Sequence, residues 1–449
     1  MTGSASGHPW FRAGAADHVI VVDLGYGDAG KGTVVDWLCS RPAGAPGGGA
    51  VLPRTVVRFN GGAQAAHNVV TADGRHHAFA QFGAGTFTPG VRTHLSRFVL
   101  VDPLALAAEA KHLAAAGVPD ALDRLSVDRD ALLTTPYHRA ANRARERTRG
   151  TARHGSCGLG IGETASYALA APGDAPRAAD CDSPRRLARK LGLLRDRLCA
   201  EFGDGVLAGP GTPPVADLSA AYLAFAGRVR LVGGEHLTGL LRAGPAVFEG
   251  AQGVLLDERH GFHPYTTWST TTFANAETLL AEAGMPAGAA RLGVVRCYLT
   301  RHGPGPLVTE DPTLELPDPH NTRNAWQGPF RVGHFDAVAV RYAIEAAGGV
   351  DGIALTHLDA AERHPLQFCD RYLVDGRPLD RLRANPVGDL VRQERLTRML
   401  LRASAVVRPP GAPWPAAVAD ALGARVALLS RGPTARDKIA VPAAPAASR

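Results

Sequence analysis

HVIVVDLGYGDAGKGTVVDWL (residues 18–38) is the stretch from which the fold can be read. It opens on HVIVVDLG, a short and nearly continuous apolar run that suits a strand covered on both faces, as in a parallel sheet. A turn rich in glycine follows (Gly25, Gly27, Gly30, Gly32), and a helical pattern begins at about Thr33. Strand, glycine loop and helix in this order let backbone amides face an anion, with the positive end of the helix aimed at the same place. Lys31 adds a point charge against a phosphate. The spacing nearly fits GxxxxGK[ST], but Gly32 stands at the hydroxyl position, so the usual hydroxyl ligand for magnesium is missing. Asp28 is the oddity of the loop. A carboxylate among amides that face phosphate is repelled by the substrate unless it holds a metal or takes a proton; the alternative is a helix cap.

Outward from this segment, further strand-like runs occur at 55–60, 97–102, 246–250, 292–300, 352–358 and 425–430. Helical patterns lie between them, at 102–117, 185–202 and 336–348. Strands alternating with helices predict an α/β fold: a large, mostly parallel central sheet flanked by helices, with ligands at the carboxyl ends of the strands. PAGAPGGGAVLP (42–53) reads as a loop. Residues 1–17 and 441–449 read as loose tails around one catalytic domain at 18–440.

The net charge of +7 comes from 49 basic and 42 acidic residues, with the arginines scattered rather than gathered on one stripe. This favours a site for small anionic substrates over a nucleic-acid groove. The six cysteines form no CxxC pair and show no zinc spacing, so they read as reduced thiols. No apolar run reaches membrane-spanning length and the first residues lack a signal-peptide pattern, which gives a cytoplasmic expectation without membrane contact.

Several segments, in chain order, resemble the motifs of the adenylosuccinate synthetase family. GYGDAGKGTVVDWL resembles its GDEGKGK loop, VRFNGGAQAAHNVV (57–70) its VRxxGGxNAGHTVV, and GLGIGE (158–163) its GRGIGP. FEGAQGVLLDERHGFHPYTTWSTTT (248–272), TRHGPGPLVTE (300–310), GHFDAVAVRYA (333–343), LTHLDA (355–360) and SRGP (430–433) complete the series. The resemblance runs from about residue 18 to 440. It implies an enzyme that joins an amine to a purine-type lactam, IMP and L-aspartate by default, while cleaving GTP with magnesium, as a homodimer.

By the same resemblance, Asp28 is the base that takes the N1 proton and His67 the acid; Lys31 and Gln252 complete the catalytic set. As one of 17 histidines, His67 carries no signal by itself. The nucleotide falls to Gly27, Asp28, Ala29, Gly30, Lys31, Gly32, Thr33, Ala66, His67 and Asn68, with magnesium at Asp28 and Ala66. Asp359 matches the carboxylate that reads guanine, His357 stands where the family has lysine, and Ser430, Gly432 and Pro433 match the loop that closes over the base. Gln252 and Thr267 match residues that hold the acceptor nucleotide.

Departures from the family gather on the acceptor and amine side. Gln64 stands for a phosphate-contacting asparagine, Cys157 for a threonine and Leu159 for an arginine, and an arginine that crosses the dimer falls at Ala171. In NTRNAWQGPFRVG (321–333), two expected arginines fall at Gly328 and Phe330, leaving Arg323 and Arg331 as nearby substitutes. Three readings follow: the default ligase, the same activation chemistry on another acceptor or amine, and a non-catalytic GTP-binding regulator. The joint presence of Asp28, Lys31, His67 and Gln252 argues against the regulator, and Gly32 against a generic P-loop kinase.

Overall fold

The computed structural model describes residues 18–40, 52–209, 211–316, 318, 321, 326–385 and 388–442. All six residues of the strand His18–Asp23 are buried. Val19 and Val21 pack into one core and Ile20 and Val22 into another. A strand covered on both faces has no solvent side, so its sequence is apolar at successive positions instead of alternating.

This strand lies inside a ten-stranded sheet. From one edge the order is Lys438–Ala440, Val426–Ser430, Gly352–Thr356, Ala289–Arg296, His18–Asp23, Ala246–Glu249, Thr55–Arg58, Arg92–Leu95, Leu125–Asp128 and Arg230–Val232. Every pairing is parallel except that of the edge strand Lys438–Ala440. Helices Lys31–Cys39, Pro103–Ala115, Pro136–Arg149, Pro184–Phe202 and Val215–Ala226 build the core on one face. Helices Gly234–Arg242, Ala274–Glu282, Ala337–Ala346 and Trp414–Leu422 build the other. The expected α/β class with a mostly parallel central sheet is the one observed. No helix among the described residues is long and apolar enough to cross a membrane.

Some local expectations are corrected. Residues 97–102 are not a strand: Leu100 and Val101 make only single bridges, to Gly62 and Leu133. The sheet strand is Arg92–Leu95, and Asp102 instead caps the next helix by accepting from the Ala105 amide at 3.0 Å. The run 292–300 is broken at Cys297–Tyr298; Leu299–His302 leaves the large sheet and pairs antiparallel with Phe330–Gly333. The first helix starts at Lys31, not Thr33. A four-stranded sheet of Phe335–Asp336, Phe368–Val374, Arg377–Leu379 and Ala403–Arg408 has no counterpart in the sequence reading. Both expected tails, apart from residues 441 and 442, and most of the expected loop at 42–53 lie outside the described residues.

Candidate active site

In an open parallel sheet the loops after the strands share one side, because each strand ends there and each crossover returns from it. Five such loops converge here, after His18–Asp23, Thr55–Arg58, Ala246–Glu249, Gly352–Thr356 and Val426–Ser430. With Arg296 and Tyr298 they wall a cavity of about 1510 Å³. Gly27, Asp28, Gly30, Lys31, Gly32, Thr33, Gln64, Ala66, His67, Asn68, Cys157, Gln252, Thr267, His357, Asp359, Ser430, Gly432 and Pro433 all line it. Ala29 lies beneath, with its carbonyl accepting from Thr356 Oγ1 at 2.7 Å. Arg331 does not reach the cavity. It pairs with Glu310 through two nitrogens and donates to the Gly303 and Gly305 carbonyls at 3.0 and 2.8 Å. Arg323 lies outside the described residues.

The glycine loop is preformed by a residue the sequence reading passed over. Asp23 ends the first strand and accepts from the amides of Gly25 (2.8 Å), Gly27 (3.3 Å) and Ala29 (2.8 Å), and from Lys31 Nζ (3.1 Å). One buried carboxylate therefore bends the loop into a cradle before any anion arrives. Lys31 Nζ also donates to the Gln252 carbonyl at 2.7 Å, tying this cradle to the loop after Ala246–Glu249. Gln252 holds a left-handed backbone, with φ of 56°. That conformation costs about 1–3 kcal/mol for a residue other than glycine and is found where structure serves a site. Gln252 Oε1 and both amide atoms of Gln64 are buried without a hydrogen-bond partner among the described residues, as expected of side chains whose partner is a ligand.

Two proton-carrying groups face the cavity, each with a dedicated partner. Asp28 is not a helix cap; the cap position is Gly30, which makes no side-chain bond. Its Oδ2 lies 3.2 Å from His302 Nε2. Burial raises the carboxyl pKa, but the His302 hydrogen bond and charge, with Arg296 and Lys31 beyond, bring it below the usual range. His67 Nδ1 lies 2.6 Å from Glu249 Oε1, and Glu249 Oε2 accepts from the Ala84 amide at 2.9 Å. Burial first, then the Arg58 charge, hold His67 down at about 4 against the pull of Glu249. The ring is thus neutral at rest, with Nδ1–H donated to Glu249 and Nε2 left for the cavity. Gly32 fits this arrangement. A Cβ there would fall 2.8 Å from His67 Cβ and 2.9 Å from its carbonyl carbon, so the helix approaches His67 only with glycine.

At the other end, Thr33 Oγ1 donates to the Pro433 carbonyl at 2.6 Å, joining the loop Ser430–Pro433 to the first helix. Lys438, also missed in the sequence, is buried there and donates to Thr33 Oγ1, to the Gly432 carbonyl (2.9 Å) and to the Thr434 carbonyl (2.8 Å). Asp359 pairs with Arg363 one helical turn on and keeps a partly exposed carboxylate at the cavity. Burial, with Arg296 and Lys438 adding repulsion, holds His357 neutral.

No group of three or more His, Cys, Asp or Glu able to hold a metal occurs among the described residues. Magnesium in nucleotide sites needs less, because substrate phosphates and water supply most of its oxygens. Asp28 and Ala66, both on the cavity wall, fit that smaller requirement.

The family model for adenylosuccinate synthetase matches residues 20–394. The chain is 33% identical over 385 residues to the adenylosuccinate synthetase of Ralstonia pickettii (strain 12J), covering 81% of each chain. It is 32% identical to that of Ralstonia nicotianae over the same length and shares. Its fold matches the fully ligated adenylosuccinate synthetase of Plasmodium falciparum with a TM-score of 0.76 at 20% identity, covering 95% of this chain and 100% of that one. It also matches the cyanophage S-2L succinoaminodeoxyadenylate synthetase, bound to dGMP and to dATP as an energy donor, with a TM-score of 0.55 at 20% identity and 96% of each chain. Sequence motifs, topology and family match agree, and the chain belongs to the adenylosuccinate synthetase family of GTP-dependent carbon–nitrogen ligases.

Proposed function

We propose that this enzyme phosphorylates the lactam oxygen of a purine nucleotide with GTP and then replaces that oxygen with an amine. IMP and L-aspartate are the default substrates, giving adenylosuccinate, GDP and phosphate. The observation that carries this reading is the placement of Asp28 and His67 on one cavity wall beside a preformed anion cradle, each held by its own partner.

Asp28, ionised at neutral pH, takes the proton from N1. The electrons released move to O6, which attacks the γ-phosphorus of GTP, and GDP leaves. The amine then adds at C6 and gives up a proton, and the C6–O6 bond breaks, so that O6 leaves with the phosphoryl group as inorganic phosphate. Phosphoryl transfer of this kind depends on positioning and charge stabilisation. His67 donates from Nε2 only as imidazolium; the negative charge of bound GTP, together with Glu249, favours that form. Asp359 can accept from guanine N1–H and N2–H, which favours GTP. Magnesium, held by Asp28 and Ala66, would neutralise phosphate charge. The enzyme works in the cytoplasm as a homodimer on this reading, with small molecules as its partners.

A second reading, the same chemistry on another acceptor or amine, is favoured by Arg331, whose donors are committed to Glu310 and two carbonyls. Phosphate release from GTP and magnesium, measured with IMP, with L-aspartate and with both, separates the two. Turnover requiring both supports the default. Absence of turnover with both, alongside intact GTP binding, supports the second reading.

A further inference from the structure

The end of the cavity beyond the glycine cradle is bounded by a hairpin whose shape depends on one buried lysine. Strands Val426–Ser430 and Lys438–Ala440 pair antiparallel with Ser430 opposite Lys438, and residues 431–437 connect them. A lysine on an edge strand is ordinarily a solvated guard against pairing with another chain. Lys438 is not one: it is buried, and it does not line the cavity. Burial lowers its pKa to about 8 against the pull of Asp437, Asp36 and Asp359, so the ammonium is charged at neutral pH.

An ammonium has three donors and no acceptor. Lys438 places its donors on the Gly432 carbonyl (2.9 Å), the Thr434 carbonyl (2.8 Å) and Thr33 Oγ1. Thr33 Oγ1 gives its own proton to the Pro433 carbonyl at 2.6 Å. Three successive carbonyls therefore answer to one ammonium, two directly and one through a hydroxyl. Asp437 holds the amide side of the same turn. It accepts from the Thr434 amide and hydroxyl at 2.8 Å each, and a Cβ on Gly432 would fall 2.7 Å from its Oδ2. Ser430, Gly432 and Pro433 line the cavity together with His357 and Asp359.

A backbone carbonyl is a strong acceptor, and one released from its donor takes the next within reach. At this turn that donor would be a ligand in the cavity. Guanine carries an oxygen at C6, which only accepts, and adenine an amino group, which donates. Free carbonyls here would repel the first and attract the second. We propose that Lys438 is a positioning residue for purine choice: by committing three carbonyls to protein donors, it keeps this end of the cavity favourable to a 6-oxopurine and unfavourable to a 6-aminopurine. This rests on the reading that the base of the phosphoryl donor lies at this turn, with its phosphates in the glycine cradle.

Isothermal titration of the full chain with GDP and with ADP, each with magnesium, tests it without turnover. The wild type should bind GDP at least about tenfold more tightly than ADP. Lys438→Met should weaken GDP about tenfold and leave ADP within about threefold, while Lys438→Arg, which keeps charge and donors, should retain part of the preference. If Lys438→Met does not fold, Thr33→Val carries the test. It removes the hydroxyl that joins Lys438 to the Pro433 carbonyl, and should narrow the preference by about threefold or more. A role in stability alone would weaken both nucleotides equally, since both use the same cradle. Equal losses for the two, a GDP preference that survives Lys438→Met (or Thr33→Val in its place), or a wild type without preference would overturn the proposal. The expected loss of preference in an enzyme that shows no turnover with IMP and L-aspartate would count against the proposed reaction and leave Lys438 in its role.

Discussion

Asp28, in the glycine loop, and His302, at the end of the strand Leu299–His302, are 274 positions apart in the chain, yet their Oδ2 and Nε2 atoms lie 3.2 Å apart on the cavity wall. The contact keeps Asp28 ionised in a half-buried setting that would otherwise raise its pKa. A base must be unprotonated before it can act. Asp28→Asn is isosteric and cannot take a proton. Turnover should fall about 10²–10⁴-fold, with the dissociation constant of GTP within about threefold of wild type by equilibrium binding. Retained turnover would remove Asp28 from this role.

Glu249 acts on the reaction only through His67. Its carboxylate accepts from Nδ1 and supports the imidazolium needed for donation from Nε2. Glu249→Gln keeps the size and one acceptor but removes the charge. A charge-assisted bond contributes about 1.5–3 kcal/mol, so kcat should fall roughly tenfold to a hundredfold, with KM for GTP little changed. An equal rise in KM with constant kcat would mean that Glu249 shapes the nucleotide site instead.

Restoring the hydroxyl of the common phosphate-loop pattern should harm this enzyme. Gly32→Ser and Gly32→Ala both place a Cβ within 3.0 Å of His67 atoms. Overpacking of this kind costs about 1–3 kcal/mol, and the displacement falls on the catalytic histidine. Urea unfolding should show that loss, together with a drop of at least about tenfold in kcat. A Gly32→Ser variant as stable and as active as wild type would contradict the packing account.

The fold was legible where the chain repeats a simple physical pattern. His18–Asp23 is apolar at its four central positions because both its faces are buried, and Gly25–Gly32 reads as a cradle because glycine favours the positive φ that Gly27 and Gly30 adopt. The acceptor of the glycine-loop amides, Asp23, was in plain view, but nothing local tells a strand-end aspartate that it must bond four groups beyond it. Glu249 and His302 lay inside the quoted segments FEGAQG and TRHGPG; their partners, His67 and Asp28, are far away in the sequence and meet them only in the folded chain. Arg92–Leu95 was missed because its polar letters, arginine, threonine and histidine, hide a strand whose last three residues are buried. Arg331 shows the reverse case. Proximity in sequence made it a substrate candidate, and Glu310 claims it.

Buried histidines set a limit in acid. Burial, the largest cause in each case, lowers His67 to about 4 and His94 and His138 to about 3, from 6.5. The unfolded chain therefore binds protons below pH 6.5 that the folded chain refuses, and stability falls as pH drops from 6.5 toward 4. Each such group removes up to about 1.4 kcal/mol per pH unit in that window. Urea midpoints at pH 7.5 and 5.0 should show a marked loss, and His94→Gln should lessen it. Equal midpoints would show that these rings take up protons without strain.

Following one oxygen atom tests the central claim most directly. If the acceptor's lactam oxygen attacks GTP and leaves as phosphate, then IMP labelled with ¹⁸O at O6, incubated with enzyme, GTP, magnesium and L-aspartate, should yield phosphate carrying one ¹⁸O per turnover by mass spectrometry. Unlabelled phosphate formed in step with product would mean that water, not the acceptor, receives the phosphoryl group, and would contradict the account.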